Sequence, residues 1–224
     1  MSQSDNGNNG SSMNRQVAKR AFATEFEDAS HIFQAGSSER SPKFAMLPSG
    51  EAASRVLIVG TLTECEDISK NSDSEYWQAR VVDPTGTFFV YAGKYQQEAM
   101  GALRGIEAPE YVAIVGKPRS YETDDGDMLV SVTPESITTV EEGTRDQWVV
   151  ETAEQTLERI DAMEDVDVGA EASANIERAH EAYGEDLDLG QYAQGAKEAL
   201  AQVAGIDIAE SEVEDDDGEE DTEE

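Results

Sequence analysis

The tetrapeptide Asp83-Pro84-Thr85-Gly86 most narrows what this chain can become. Proline presets φ at the second position of a tight turn, and glycine closes it. On either side lie YWQARVVD (76–83) and TFFVYAG (87–93), both rich in β-branched and aromatic residues. Two such runs around such a turn form a β-hairpin. Side chains alternate along a strand, so Phe88 and Val90 face one way while Phe89 and Tyr91 face the other.

The neighbouring segments extend the pattern. RVLIVGTLTE (55–64) reads as a preceding strand, with Gly60 marking a bulge or tight bend. YQQEAMGALRGI (95–106) places Tyr95, Ala99, Ala102 and Leu103 on one helical face, and Pro109 ends it. YVAIVGKPRSYE (111–122) and MLVSVTPESITTV (128–140) read as two further strands joined by an acidic tip at 123–127. Strand, strand, strand, helix, strand, strand is the element order of the OB-fold, a five-stranded Greek-key barrel. A short α+β sheet domain shares that order, but the glycine-bearing first strand and the tight hairpin favour the barrel. The fold expected is mainly β: a five-stranded OB-fold barrel with an N-terminal helix and C-terminal α-helices.

Around the barrel at 51–142 the chain divides further. Residues 1–13 are rich in Ser, Asn and Gly and are expected to be disordered. In 14–50, Val17, Ala21, Phe22, Phe26 and Ala29 have the spacing of a short amphipathic helix, followed by a linker that packs on the barrel and a candidate strand at 43–47. Thr144 and Gln147 have the spacing of a capping box ahead of a helix over 145–163, within a segment 143–164. Residues 165–208 carry two weaker helical stripes, one through Ala172, Ile176, Ala179 and Tyr183, the other through Tyr192, Ala196, Ala199, Leu200 and Val203. Residues 209–224 are an acidic run expected to stay disordered.

Charge bears on partners. The 224 residues carry a formal net charge of −33, and 149–224 hold 26 of the 49 acids but 3 of the 16 bases. An acidic tail alone would read as an interaction or solubility tag. Here acid is spread through the folded segments as well, and lysine is scarce. That points to a chain working in molar salt, where a Debye length of roughly 3 Å at 1 M screens self-repulsion. The single cysteine, Cys65, permits no internal disulfide, so a reducing, cytoplasmic location is expected. No apolar run has membrane-spanning length and no signal-peptide core is present, so no membrane partner is expected.

Catalysis finds little support, and no enzyme activity, metal site or cofactor is expected. His31 and His180 lie in the flanks without ligand spacing, Cys65 has no histidine nearby, and no phosphate loop or nucleophile elbow occurs. The aromatic residues say more. Single strands are held by bases stacked on aromatic rings, with Arg and Lys tracking the backbone. An outward Phe89–Tyr91 pair would be such a platform, beside Arg80 on the preceding strand, where Trp77 reads as core and Tyr76 and Gln78 also face out. Lys117, Arg119 and Tyr121 would extend the DNA-binding face on the fourth strand. Alternatively, Phe89 and Tyr91 close the barrel beneath the N-terminal helix. The helix at 145–163 likewise has two readings: it packs on its own chain, or it offers Trp148, Leu157 and Ile160 as anchors to a partner.

RVLIVGTLTE, YWQARVVDPTGTFFVYAGKYQ, YVAIVGKPRSYETDDG and VSVTPESI together resemble the replication-protein-A family proteins of halophilic archaea. The resemblance spans roughly residues 14–163, including VAKRAFATEFEDASH and RDQWVVETAEQTLERI, and covers 164–224 weakly or not at all. It implies an OB-fold subunit that binds single-stranded DNA with a partner replication protein A in replication and repair. By the family's hairpin pattern, binding positions would fall on Arg80, Phe89 and Tyr91, and the helix at 145–163 would assemble subunits. The zinc-binding cysteines of some larger family members are absent here. The alternative is an OB-fold interaction subunit that stabilises its partner without touching DNA.

Overall fold

The computed structural model describes residues 16–36, 41–70, 74–123, 125–164, 169–184 and 187–206. The expectations of disorder at 1–13 and 209–224 lie outside them. The elements run α1 (Ala23–Asp28), β1 (Ile32–Gln34), β2 (Lys43–Met46), β3 (Ala52–Ala53), β4 (Val56–Asp67), β5 (Trp77–Val82), β6 (Thr87–Ala92), α2 (Gln97–Gly105), β7 (Glu110–Glu122), β8 (Met128–Thr139), α3 (Glu142–Glu164), α4 (Ala170–Tyr183) and α5 (Gly190–Ala204).

Strands β4 to β8 close a barrel in the order β4-β5-β6-β8-β7, with β7 returning to β4 and β6 running parallel to β8. With α2 between the third and fourth barrel strands, this is the OB-fold topology. Strand β4 makes closure possible, because its first half pairs with β7 and its second half with β5. Its register shifts between Leu62 and Glu64, a bulge that bends the strand around the corner. Gly60 lies just before that bend, where any Cβ would collide with the Val82 carbonyl. Glycine is there for a close backbone approach, and the bulge itself sits further along.

The interior is filled by alternate residues: Val56, Ile58 and Leu62 of β4, Ala79 and Val81 of β5, Phe88 and Val90 of β6, Val112 and Ile114 of β7, and Val130 and Val132 of β8. Met100 and Leu103 of α2 join them, as does Phe26 of α1, whose ring lies 5.5 Å from that of Phe88. The β5–β6 turn is anchored from outside. Asp83 accepts the N–H groups of Thr85 at 2.7 Å and Gly86 at 2.9 Å, and its other oxygen accepts the N–H of Ala23 at 2.8 Å. The carboxylate therefore orders its own turn and satisfies a free N–H at the start of α1.

A second apolar cluster lies outside the barrel, where Leu57 and Val59 of β4 and Ala113 of β7 face α3 and α5. Trp148 is 3% exposed, donates its indole N–H to the Leu57 carbonyl at 3.0 Å, and meets Phe22 edge-on at 5.7 Å. Helix α4 packs against a small antiparallel sheet, β1-β2-β3. Helices α3 and α5 cover the β4–β7 side, and the cluster they form takes in no described residue of β5 or β6.

Several local expectations fail for tertiary reasons. The helix expected over 14–29 is confined to Ala23–Asp28. Ahead of it the chain is extended: Lys19 bridges Val56, donating to the Arg55 carbonyl and accepting from Leu57, both at 2.9 Å. The edge of β4 takes the groups that helical bonding would have used. Val17 is consequently 77% exposed. Tyr95 lies outside α2 and is 83% exposed. The capping box does not form, because α3 begins at Glu142 and the N–H of Arg145 bonds back to the Glu141 carbonyl at 3.2 Å.

Candidate nucleic-acid interface

The alternation of β5 and β6 decides which aromatic residues face out. Phe88 and Val90 are buried inside the barrel, so Phe89 and Tyr91 lie outward and half-buried. On β5, Ala79 and Val81 point inward while Gln78 and Arg80 face out, paired across to Tyr91 and Phe89. Trp77 packs partly buried against the barrel core. The arrangement with Phe89 and Tyr91 sealing the barrel does not occur, since Phe88 takes the place beneath α1.

Tyr91 is the hub of this face. Tyr76 stacks on it with ring centroids 5.9 Å apart and planes 13° from parallel. Gln78 donates its Nε2–H to the Tyr91 hydroxyl at 3.1 Å. Burial pushes the Tyr91 phenol above its ordinary pKa, and the neighbouring Tyr121 and Tyr76 add to that, so it stays a neutral donor. Beside it, the Arg80 guanidinium lies 5.7 Å from the centre of the Phe89 ring and bonds Glu64 Oε2 at 3.2 Å. The Nε of Arg80 has no partner among the described residues.

The long β7–β8 hairpin flanks the patch. Across its ladder Lys117 opposes Thr133, Arg119 opposes Ser131, and Tyr121 opposes Leu129, so the three expected residues share one face. Tyr121 reaches the aromatic cluster and is 46% exposed. Arg119 is exposed on the hairpin. Lys117 turns toward Glu135 at 3.6 Å, a carboxylate that Arg55 also holds.

Of the expected DNA-binding residues, Arg80, Phe89, Tyr91 and Tyr121 thus come together, while Lys117 and Arg119 line the hairpin beside them. Tyr76 and Gln78 complete the patch. Their parity with Arg80 along β5 was the signal for them, and Tyr76 is 44% exposed. The expected partner-binding residues sit differently. Trp148 is spent on its own barrel, Leu157 packs partly buried on the second cluster, and Ile160 is half-buried along the same helix.

No protein-family profile matches the chain, and no curated protein matches it. Similar solved structures include the second single-stranded DNA-binding protein (SSBb) of Mycobacterium smegmatis, 16% identical over 39% of this chain and 86% of that one, with a TM-score of 0.33. The mitochondrial single-stranded DNA-binding protein Rim1 of S. cerevisiae is 19% identical over 39% of this chain and 94% of its own, with a TM-score of 0.31. OBody AM2EP06, bound to hen egg-white lysozyme, is 16% identical over 39% of this chain and 81% of that one, with a TM-score of 0.33. No described helix is long and apolar enough to cross a membrane.

Proposed function

We propose that this chain is a non-enzymatic, single-stranded-DNA-binding subunit of a replication protein A-type complex, acting in replication and repair. Bases stack on the outward face of β5 and β6. The observation that supports this reading is the Tyr76–Tyr91 stack beside Phe89 and Arg80, an outward aromatic patch in which Tyr76 is 44% exposed. A ring face serves any base, and each stacked base contributes roughly 1–3 kcal/mol. Stacking survives salt far better than phosphate contacts, whose affinity falls steeply with ionic strength. A chain of net charge −33 suits that mode in a salt-saturated cytoplasm.

The test is an anisotropy titration of a labelled strand of about 30 nucleotides in roughly 2 M KCl, where the Debye length is only a few Å. Binding by the chain alone, weakened tens-fold or more in F89A/Y91A while the far-UV spectrum is unchanged, is expected. Equal affinity in the double variant would sink the site.

A second reading rests on the hairpin tip, where Met128 is 43% and Leu129 39% exposed beside Tyr121. There the barrel would hold a protein partner and leave DNA to it. Binding that appears only when a partner replication protein A is added favours this reading.

A further inference from the structure

Tyr95 has the spacing of a buried helical residue, yet it lies outside α2 and is 83% exposed. It stands in the turn Gly93-Lys94-Tyr95-Gln96, which joins β6 to α2. The turn is pinned at both ends: the Gln96 N–H donates to the Gly93 carbonyl at 2.8 Å, and the Gly93 N–H donates to Gln96 Oε1 at 3.1 Å. It also borders the aromatic face, because the Tyr76 ring lies against Gly93, 3.1 Å from where a Cβ would stand. Two residues further on, the Tyr95 Cα is within about 7 Å of the Gly93 Cα. Lys94 completes the pair, with its Nζ 4.9 Å from the centre of the Tyr95 ring. Around the face Arg80 holds Glu64, Arg104 holds Glu75 and Lys117 holds Glu135. Lys94 makes no ion pair among the described residues.

We propose that Lys94 and Tyr95 carry the single-strand track beyond Tyr76, the Tyr95 ring stacking a further base and the Lys94 ammonium meeting a phosphate beside it. The inference rests on the DNA-binding reading above and adds two residues to its site. Ring and cation are the two groups that hold a single strand, since bases stack on aromatic side chains and positive charge follows the backbone. A tyrosine ring has two faces; the ammonium takes one, and the exposure of the ring leaves the other open to a base. In a chain of net charge −33, a lysine without a carboxylate partner keeps its whole charge for a phosphate. The pinned turn fixes the backbone of both residues before binding, which lowers the ordering cost. So exposed a ring adds little to the core, and its removal leaves the fold intact.

Anisotropy titration of a labelled strand of about 30 nucleotides against the full chain, repeated across a KCl series, reads the two roles apart. Y95A is expected to bind about tenfold more weakly at every salt concentration, the worth of one stacked base. Y95F, which keeps the ring, binds as the unmodified protein does. Y95L, which keeps bulk without a ring, binds as weakly as Y95A. K94Q is expected to flatten the plot of log affinity against log salt by about 0.7, the share of one phosphate. Unchanged affinity in Y95A would overturn the inference, as would full affinity in Y95L or an unchanged salt slope in K94Q. Failure of the unmodified protein to bind the strand would instead overturn the DNA-binding reading itself.

Discussion

Gly93 is the seat of the Tyr76 ring: a Cβ at this position would stand 3.1 Å from Tyr76 Cδ2 and 3.4 Å from Cε2. The residue after β6 therefore has no side chain so that the residue before β5 can lie flat on Tyr91. Because Tyr76 is part-exposed, its ring can yield to an intruding methyl, and what yields is the stack. Gly93→Ala is expected to weaken single-strand binding by about fivefold, a fraction of one stacked base. The melting temperature should stay within a few degrees. Anisotropy and thermal denaturation on one sample check both.

Glu64 competes for the cation that the DNA backbone needs. Its Oε2 holds Arg80 at 3.2 Å, and both side chains are largely exposed. Such a pair adds little to stability, but it places negative charge at the binding face. Glu64→Gln is expected to raise affinity several-fold at about 0.1 M salt, where the Debye length is near 10 Å. The gain should vanish at roughly 2 M KCl. A titration series across salt reads the difference.

Among the described residues, Arg159 and Glu25 form the most enclosed ion pair. The carboxylate is 1% exposed, receives the guanidinium at 2.8 Å, and also accepts the Ser49 hydroxyl and the Ser49 N–H at 3.2 Å. Arg159 Nε donates to Ser49 Oγ at 2.7 Å, so α1, α3 and the β2–β3 turn meet at one knot. Arg159→Met leaves a buried charge unpaired and is expected to cost about 3 kcal/mol in urea denaturation. Adding Glu25→Gln to that variant should restore part of the loss.

Tyr183 makes stability fall in alkali. Its hydroxyl donates to the Met46 carbonyl at 2.5 Å, and burial, with Asp28 and Glu25 near, pushes its pKa up to about 12. An unfolded tyrosine titrates near 10. The folded chain thus keeps a proton that the unfolded chain gives up. The contribution is whole below about pH 10 and is lost as pH rises toward 12. The urea midpoint should drop across that window, and less steeply in Tyr183→Phe. Tyr192, raised in the same direction by burial and its bond to Asp28, adds to the slope in the unmodified chain.

The barrel was legible because its signals are local. A Pro-Gly turn, period-two alternation and strand-length runs name the hairpins without reference to anything distant, and β7 and β8 end within a residue or so of the expected bounds. The same parity sent Phe89 and Tyr91 to one face together. Which face that is depended on α1, because Phe26 packing on Phe88 decides which aromatic pair is interior.

The flanks were less legible, since their backbone groups answer to partners far away in sequence. Phe22 and Phe26 have helical spacing, yet Phe22 serves the outer cluster with Trp148 and Phe26 the barrel core. Lys19 is extended because the edge of β4 offers it a ladder, and the two-residue β3 is a strand through its pairing with β2. The apolar stripe of α3 reads the same whether it meets another protein or its own barrel. The hydrophobic effect is non-directional, so periodicity says that a face will be buried and not by what. Within the barrel, element type and the parity of side chains were thus decided by the sequence alone. The tertiary structure decided which of those faces were covered by the chain itself, because α3 and α5 are drawn to Leu57 and Val59 of β4 in a cluster that takes in no described residue of β5 or β6.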